Sequence, residues 1–149
     1  MVNCGHPPAL LLRDGRATFL DAIPPVPPLG LLELAGGAGP YPGPLGARGG
    51  DMVLLYTDGV TDARSGTGAT YPLAERAAVV DRELARELAG APAGAALIEA
   101  LKTGLLAHIG GKLRDDATLM CLQFADEREG EPEGEPTAEA SRYSNVQYS

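Results

Sequence analysis

Two groups of acidic residues stand beside apolar runs, where their carboxylates could bind a cation. Asp58 comes just after the apolar run 52–56, and Asp115 and Asp116 come just before the run 117–124. If the two runs are neighbouring antiparallel strands, both acidic turns lie at the same edge of a sheet. Clustered carboxylates repel one another, and a hard divalent cation such as Mg²⁺ or Mn²⁺, which takes oxygen ligands, usually compensates the repulsion. The spacing makes this edge a candidate metal site.

Gly59, which follows Asp58 directly, fits either of two roles. Glycine has no side chain, so its backbone could approach a bound ion closely. Asp-Gly pairs are also frequent in ordinary turns, and Asp often caps a chain segment. Spacing alone therefore leaves both a metal ligand and a plain acidic turn open.

The histidines and cysteines give weaker signals. His6 lies in the segment 3–8, Asn-Cys-Gly-His-Pro-Pro, and is a candidate to bind a metal or orient a metal-bound water. The alternative is a turn histidine held by a backbone carbonyl. His108 falls near the end of a predicted helix, where the helix dipole favours a cation. Cys4 and Cys121 are far apart in sequence with no second thiol near either, which argues against a disulfide framework or a zinc knuckle.

We call the sheet edge with Asp58, Asp115 and Asp116 the acidic edge. The elements that must position it begin with a hairpin. The pair Asp14-Gly15 separates the apolar-rich runs 9–13 and 16–20. Because both residues tolerate positive φ, the pair predicts a two-residue type I′ turn. The continuous apolar run 52–56 predicts a strand that is buried on both faces.

Between and after these strands, the sequence predicts an irregular crossing and two helices. Proline and glycine over 23–50 break helical periodicity and leave at most a short strand around 31–34. A second helix fits 92–109, with Leu97, Leu101 and Leu105 on one face and a Gly-Gly stop. The first helix begins at 73 and ends at Gly90, and its apolar stripe consists of Leu73, Ala77, Val80, Leu84 and Leu88.

Composition limits the class of protein. The 149 residues are 44% hydrophobic with a formal charge of −8. Residues 1–124 hold 13 acids against 10 bases, which lacks the positive field that nucleic-acid binding requires. No apolar stretch approaches the roughly 18 residues of a membrane-spanning helix, so we expect a cytoplasmic protein with no membrane partner. The segment 125–149 holds seven acids and two arginines and is rich in Gly and Pro, so we expect a domain at 1–124 and a disordered acidic tail at 125–149.

Several motifs, taken in order, resemble those of one enzyme family. The family is the metal-dependent (PPM-type) protein serine/threonine phosphatases, in the stage II sporulation protein E-like branch of bacterial relatives of protein phosphatase 2C. The chain is similar to the C-terminal half of that domain from residue 2 to about 124. The resembling motifs are Asn3-Cys4-Gly5-His6-Pro7-Pro8, Pro28-Leu29-Gly30-Leu31, Gly50-Asp51, Leu55-Tyr56-Thr57-Asp58-Gly59-Val60-Thr61-Asp62-Ala63-Arg64, His108-Ile109-Gly110-Gly111 and Asp115-Asp116-Ala117-Thr118-Leu119.

The resemblance implies a fold and a chemistry. The implied fold contains both helices and strands, α/β in the broad sense and α+β in the narrower one. It is a partial β-sandwich of mostly antiparallel strands with flanking helices. An intact site would hold two Mn²⁺ or Mg²⁺ ions, which activate a water to attack the phosphorus of a phosphoserine or phosphothreonine protein. The implied partners include an anti-sigma factor antagonist.

The site residues are carried over position by position. Asp58 and Gly59 match the metal-binding aspartate-glycine motif, and Asp115 matches the ligand in the late aspartate pair. Asp116 falls where relatives often carry Asn and is a weaker ligand candidate. His6 stands where the eukaryotic relatives have an aspartate, so it is a candidate for a catalytic role, while no other catalytic side chain is assigned.

The chain departs from the family pattern in ways that reduce the expected activity. Cys4 replaces the usual Ala and Asp62 the usual Glu, and both changes are mild. Relatives also have a strand that ends in a metal-bridging aspartate, and no such segment precedes Asn3. We therefore expect a partial domain whose isolated chain is catalytically weak.

Three other functions are alternatives to the phosphatase. A non-catalytic phosphatase-like module that binds a regulatory partner in a sigma-factor pathway fits the missing aspartate. A plain α/β domain with acidic turns would show no metal-dependent stabilisation. A haloacid-dehalogenase phosphatase is excluded, because that family needs an aspartate two residues before Asp58, where Tyr56 stands.

Overall fold

The computed structural model describes residues 1–21, 26–28, 30–31, 42–88, 93–111, 113 and 115–125. Apart from Leu31 and Ala125, the predicted short strand around 31–34 and the predicted tail lie outside these residues. The elements in chain order are β1 (Leu10–Arg13), β2 (Arg16–Phe19), β3 (Met52–Tyr56), α1 (Asp58–Thr61), α2 (Leu73–Glu87), α3 (Gly94–His108) and β4 (Leu119–Gln123).

The four strands form one sheet in the order β2-β1-β3-β4. Every pairing is antiparallel, with Leu10 opposite both Phe19 and Leu54. Helices α2 and α3 pack against each other and against this sheet. An antiparallel sheet with flanking helices confirms the predicted α+β class.

The β1–β2 turn has the predicted geometry, since φ is 51° at Asp14 and 72° at Gly15. Helix α2 holds this turn in place. The Asp81 carboxylate accepts a hydrogen bond from the Gly15 N–H at 2.8 Å, and Arg82 donates to the Gly15 carbonyl at 2.7 Å. Burial raises the pKa of Asp81. A Cβ at position 15 would overlap the Arg82 side chain, so the hairpin sits directly on the helix.

The core lies between the helices and one face of the sheet. Leu97, Leu101 and Leu105 of α3 are buried, as their spacing predicts. The α2 stripe is buried at its first two positions and half-buried at the later ones. The sheet contributes Leu10, Leu12, Met52, Leu54 and Tyr56 to the same cluster.

An ion pair between half-buried Arg13 and buried Asp51 ties β1 to β3 at the end of the sheet opposite the acidic edge. Asp51 is 2% exposed and stands just before β3. Its carboxylate accepts hydrogen bonds from Arg13, with Nε at 2.9 Å, and from the Arg48 N–H at 2.8 Å. The hydrogen bonds from Arg13 hold the pKa of Asp51 below its ordinary value. The Asp51 carbonyl also accepts from the Phe124 N–H at 2.9 Å, which adds β4 to the junction.

We predict that Asp51→Asn lowers the free energy of unfolding by about 2 kcal/mol at pH 7, since a buried carboxylate with three donors is replaced by an amide that cannot accept them all. The lowered pKa means that the Asp51 contribution is complete above the ordinary value of 3.8 and is lost as the pH falls through the folded value. The difference in the free energy of unfolding between wild type and variant should therefore shrink as the pH falls below 3.8. Urea denaturation at several pH values measures it.

The matched control is Asp14→Asn. Asp14 pairs with Arg48 at 3.2 Å on the surface, with the Asp14 side chain 81% exposed, and Asn tolerates the positive φ. This variant should unfold like wild type. An Asp51→Asn variant that also unfolds like wild type contradicts the prediction.

Candidate metal centre

The register of β3 and β4 places both acidic turns at one edge of the sheet. Tyr56 at the end of β3 lies opposite Leu119 at the start of β4. Beyond the strands, the Thr57 N–H donates to the Thr118 carbonyl at 3.2 Å, and the Thr118 N–H donates to Thr57 Oγ1 at 2.9 Å. The two acidic turns therefore lie at the same edge, as expected if runs 52–56 and 117–124 are neighbouring antiparallel strands.

Gly59 contacts the second acidic turn through its backbone. It lies in the short helix α1, is buried, and faces the Asp116 carbonyl so closely that a Cβ at position 59 would overlap it. Thr57 Oγ1 also donates to that carbonyl, at 3.2 Å. Sequence reasoning assigned Gly59 a metal role, and the structure adds a packing reason for glycine here.

Local hydrogen bonds hold the carboxylates at this edge. Asp58 Oδ1 accepts from the Gly59 N–H at 2.9 Å, and Asp115 Oδ1 accepts from the Asp116 N–H at 2.8 Å. All three aspartates are exposed to solvent. Each of the two turns thus fixes one oxygen of its first carboxylate and presents the group to solvent.

His6 belongs to the same end of the sheet. The Tyr56 hydroxyl donates to the Pro8 carbonyl at 2.9 Å, which ties the segment before β1 to the end of β3. Asn3 closes the turn, since its side chain accepts from the His6 N–H and donates to the His6 carbonyl, both at 2.8 Å. His6 Nδ1 lies 2.9 Å from the Pro7 carbonyl. In the neutral ring this bond protonates Nδ1 and leaves the lone pair on Nε2.

The other histidine and Cys121 pack against the body of the fold. His108 ends α3, where Nε2 lies 2.9 Å from the Ala69 carbonyl and the ring stacks edge-on against Tyr71 at 5.4 Å. Cys4 and Cys121 are both free thiols. Burial raises the pKa of Cys121, which keeps this thiol protonated and unreactive.

The donor set suits a hard cation in its chemistry. The carboxylates of Asp58, Asp115 and Asp116 and the backbone carbonyl of Gly59 are oxygen donors, which Mg²⁺ and Mn²⁺ prefer. Within the described residues, however, no three His, Cys, Asp or Glu side chains are grouped closely enough to hold a metal ion. These residues fit as part of a ligand set.

A cleft of about 540 Å³ opens next to this edge. Sequence reasoning did not predict it, because its walls come from two segments that are far apart in sequence. The residues that line it include Gly59, Asp62, Arg64, Ile109, Leu113 and Asp115.

The fold agrees with a comparison to solved structures. The structure of the RsbU and RsbW domains of Rv1364c from Mycobacterium tuberculosis matches this chain with a TM-score of 0.59 and 28% identity. The match covers 83% of this chain and 31% of that one. The family model for stage II sporulation protein E (SpoIIE) matches residues 1–125. The chain belongs to the SpoIIE family, as the motif resemblance predicts.

Two structures of the SpoIIE phosphatase domain from Bacillus subtilis are also similar to this chain. One has a TM-score of 0.49 at 12% identity, covering 81% of this chain and 49% of that domain. The second, presoaked in Mn, has a TM-score of 0.45 at 11% identity, and the match covers 87% of this chain and 50% of that domain. The chain thus spans half or less of the solved relatives that it matches. No curated protein matches it. No helix within the described ranges has the length and apolarity needed to cross a membrane.

We predict that Gly59→Ala destabilises the chain by about 1–3 kcal/mol, because the new methyl group must displace the Asp116 backbone. Gly66→Ala is the matched control, since a Cβ there meets no atom within 4 Å. Chemical denaturation in metal-free buffer measures both. Equal stabilities of the two variants would contradict the close backbone contact.

Proposed function

We propose that this chain is part of a metal-dependent protein serine/threonine phosphatase domain. The observation that carries the proposal is the β3–β4 register, which brings the Asp58 and Asp115 turns to one sheet edge. Membership of the SpoIIE family supports it, and phosphatase domains are among the solved relatives of this family. The proposed substrate is a phosphoserine or phosphothreonine protein, with an anti-sigma factor antagonist as the class to test first.

In this proposal Asp58, Gly59 and Asp115 are metal ligands and Asp116 is an auxiliary one. When bound, Mn²⁺ or Mg²⁺ lowers the pKa of a water and neutralises phosphate charge. The chain's own contribution is geometric. The Gly59 and Asp116 N–H groups each hold one carboxylate oxygen, so the two acidic turns present their remaining oxygens from fixed positions.

The two turns also depend on each other. The Thr57 side chain bonds to both the Asp116 carbonyl and the Thr118 N–H, so it connects the Asp58 side of the edge to the Asp115 side. His6, on the same end of the sheet, has Nδ1 occupied by the Pro7 carbonyl. We assign its Nε2 the role of orienting a water or phosphate at this edge. The nucleophile in this proposal is a water molecule, not His6.

A second candidate is the non-catalytic phosphatase-like module. The observation that favours it is the lack, within the described residues, of a group of three side chains able to hold a metal. Such a module would keep the fold and bind its regulatory partner without hydrolysis. The proposed domain layout, with the phosphatase portion at 1–124 and an acidic tail at 125–149, is the same for both candidates.

We predict that the purified chain binds Mn²⁺ weakly and that Asp58→Asn or Asp115→Asn weakens the affinity by about tenfold or more, since even outer partners of a metal ligand contribute that much. Glu87→Gln, on the exposed C-terminal end of α2, is the charge-matched control and should bind Mn²⁺ like wild type. Calorimetric titration with Mn²⁺ measures all four proteins.

Hydrolysis tests whether the isolated chain is an active enzyme. With an incomplete ligand set the reacting groups are misplaced, and a misplacement of about 1 Å costs on the order of a hundredfold in rate, so turnover should be near background. Para-nitrophenyl phosphate and a phosphoserine peptide are the substrates, with Mn²⁺ present. Strong turnover that Asp58→Asn abolishes would show an active enzyme, while turnover that Asp58→Asn leaves unchanged would refute the site.

A further inference from the structure

The cleft beside the acidic edge combines three kinds of surface. Two of the candidate ligands, Gly59 and Asp115, line one part of it. Ile109 and Leu113 form an apolar wall, and Arg64 adds a cation. Its volume of about 540 Å³ lies in the usual range of ligand sites, roughly 300–1,000 Å³. One open cleft therefore joins a candidate reaction centre to a charged and an apolar contact.

The loop that carries Arg64 is held in shape before any ligand arrives. An antiparallel bridge closes the loop 64–70. The Ser65 N–H donates to the Ala69 carbonyl at 2.9 Å, and the Ala69 N–H donates to Ser65 Oγ at 3.2 Å. His108 Nε2, 2.9 Å from the Ala69 carbonyl, attaches the loop to α3. A loop ordered in this way loses little conformational entropy on binding.

Arg64 has donors to offer a ligand. Its guanidinium carries five N–H donors, and among the described residues it makes one hydrogen bond, from Nη1 to the Gly68 carbonyl at 3.1 Å. It is also the one cationic side chain among the described cleft residues, against the carboxylates of Asp62 and Asp115. Arginine pairs with phosphate through two parallel hydrogen bonds, which lysine cannot make.

The apolar wall is partly open to solvent. Leu113 is 37% exposed, and Ile109 is half-buried against the core. An apolar side chain that covers this wall removes apolar surface from water on both partners. The wall therefore favours a peptide with an aliphatic residue beside its phosphorylated residue.

We propose that this cleft binds the phosphorylated segment of a protein substrate, with Arg64 contacting the phosphate and Ile109 and Leu113 contacting an adjacent aliphatic side chain. The proposal rests on the proposed function, which places the phosphate near Asp115. It adds a specificity that metal ligation alone does not provide, because the aliphatic contact distinguishes one phosphoprotein from another.

The test uses fluorescence anisotropy of two labelled peptides and the full 149-residue chain in the presence of Mn²⁺. Both peptides carry a hydrolysis-resistant phosphonate analogue of phosphoserine, flanked by leucines in one peptide and by alanines in the other. We expect the leucine peptide to bind about fivefold more tightly than the alanine peptide, and Leu113→Ser to remove that preference. Arg64→Ala should weaken the binding of both peptides by about tenfold.

Matched variants control for general effects. Arg86→Ala removes an exposed arginine from the last turn of α2, and Met120→Ser removes a β4 methionine that is 54% exposed. Both should bind the peptides like wild type. Arg64→Lys keeps the charge and loses the paired hydrogen bonds, so it should still weaken the binding of both peptides. Circular dichroism of each variant verifies its fold.

Two outcomes overturn the proposal. Either the wild-type chain binds neither peptide, or Arg64→Ala and Leu113→Ser bind them like wild type. Mn²⁺ titration of the same proteins tests the proposed function separately. If Asp58→Asn leaves Mn²⁺ binding unchanged, the proposed function fails, and the peptide affinities still decide whether the cleft binds a phosphorylated segment.

Discussion

The pairing of β3 with β4 is the interaction on which the rest of this structure depends. The two strands are antiparallel over five residue pairs, from Met52 opposite Gln123 to Tyr56 opposite Leu119. A slip of one residue would turn each side chain of β4 to the other face of the sheet. It would also separate the Asp116 carbonyl from Gly59, which it contacts in the observed register. The register therefore determines both the core and the edge where the carboxylates meet.

The two ends of the sheet satisfy their charges differently. At one end the Asp51 carboxylate is buried and fully engaged by Arg13 and the Arg48 N–H. At the other end Asp58 and Asp115 are exposed, and each has one oxygen held by a neighbouring N–H. A closed pair stabilises the fold, whereas an open, oriented carboxylate can bind a ligand. The same residue type serves structure at one end and candidate chemistry at the other.

Local patterns in the sequence predicted the elements, and tertiary contacts explain what they missed. The Asp14-Gly15 turn and the Leu97–Leu105 stripe depend on neighbours along the chain, so spacing sufficed. The positions of Asp58 and Asp115 at one edge followed from strand ends and an assumed pairing. The Arg13–Asp51 pair joins residues 38 apart, and the Tyr56–Pro8 contact joins residues 48 apart, so no local pattern marks them. The cleft likewise joins two segments far apart in sequence, one around Arg64 and one around Leu113, so no local pattern marked these two residues as parts of one site.

Chain order has a consequence for how the acidic edge assembles. The β1–β2 hairpin closes through two residues, but Thr57 and Thr118, which bond across the edge, are 61 residues apart, with both long helices between them. Closing so long a loop costs entropy that is recovered only when the helices have docked on the sheet. We therefore expect the edge to form late in folding. It would also open early in partial unfolding, so that metal or substrate binding there stabilises a contact between residues 61 apart in sequence.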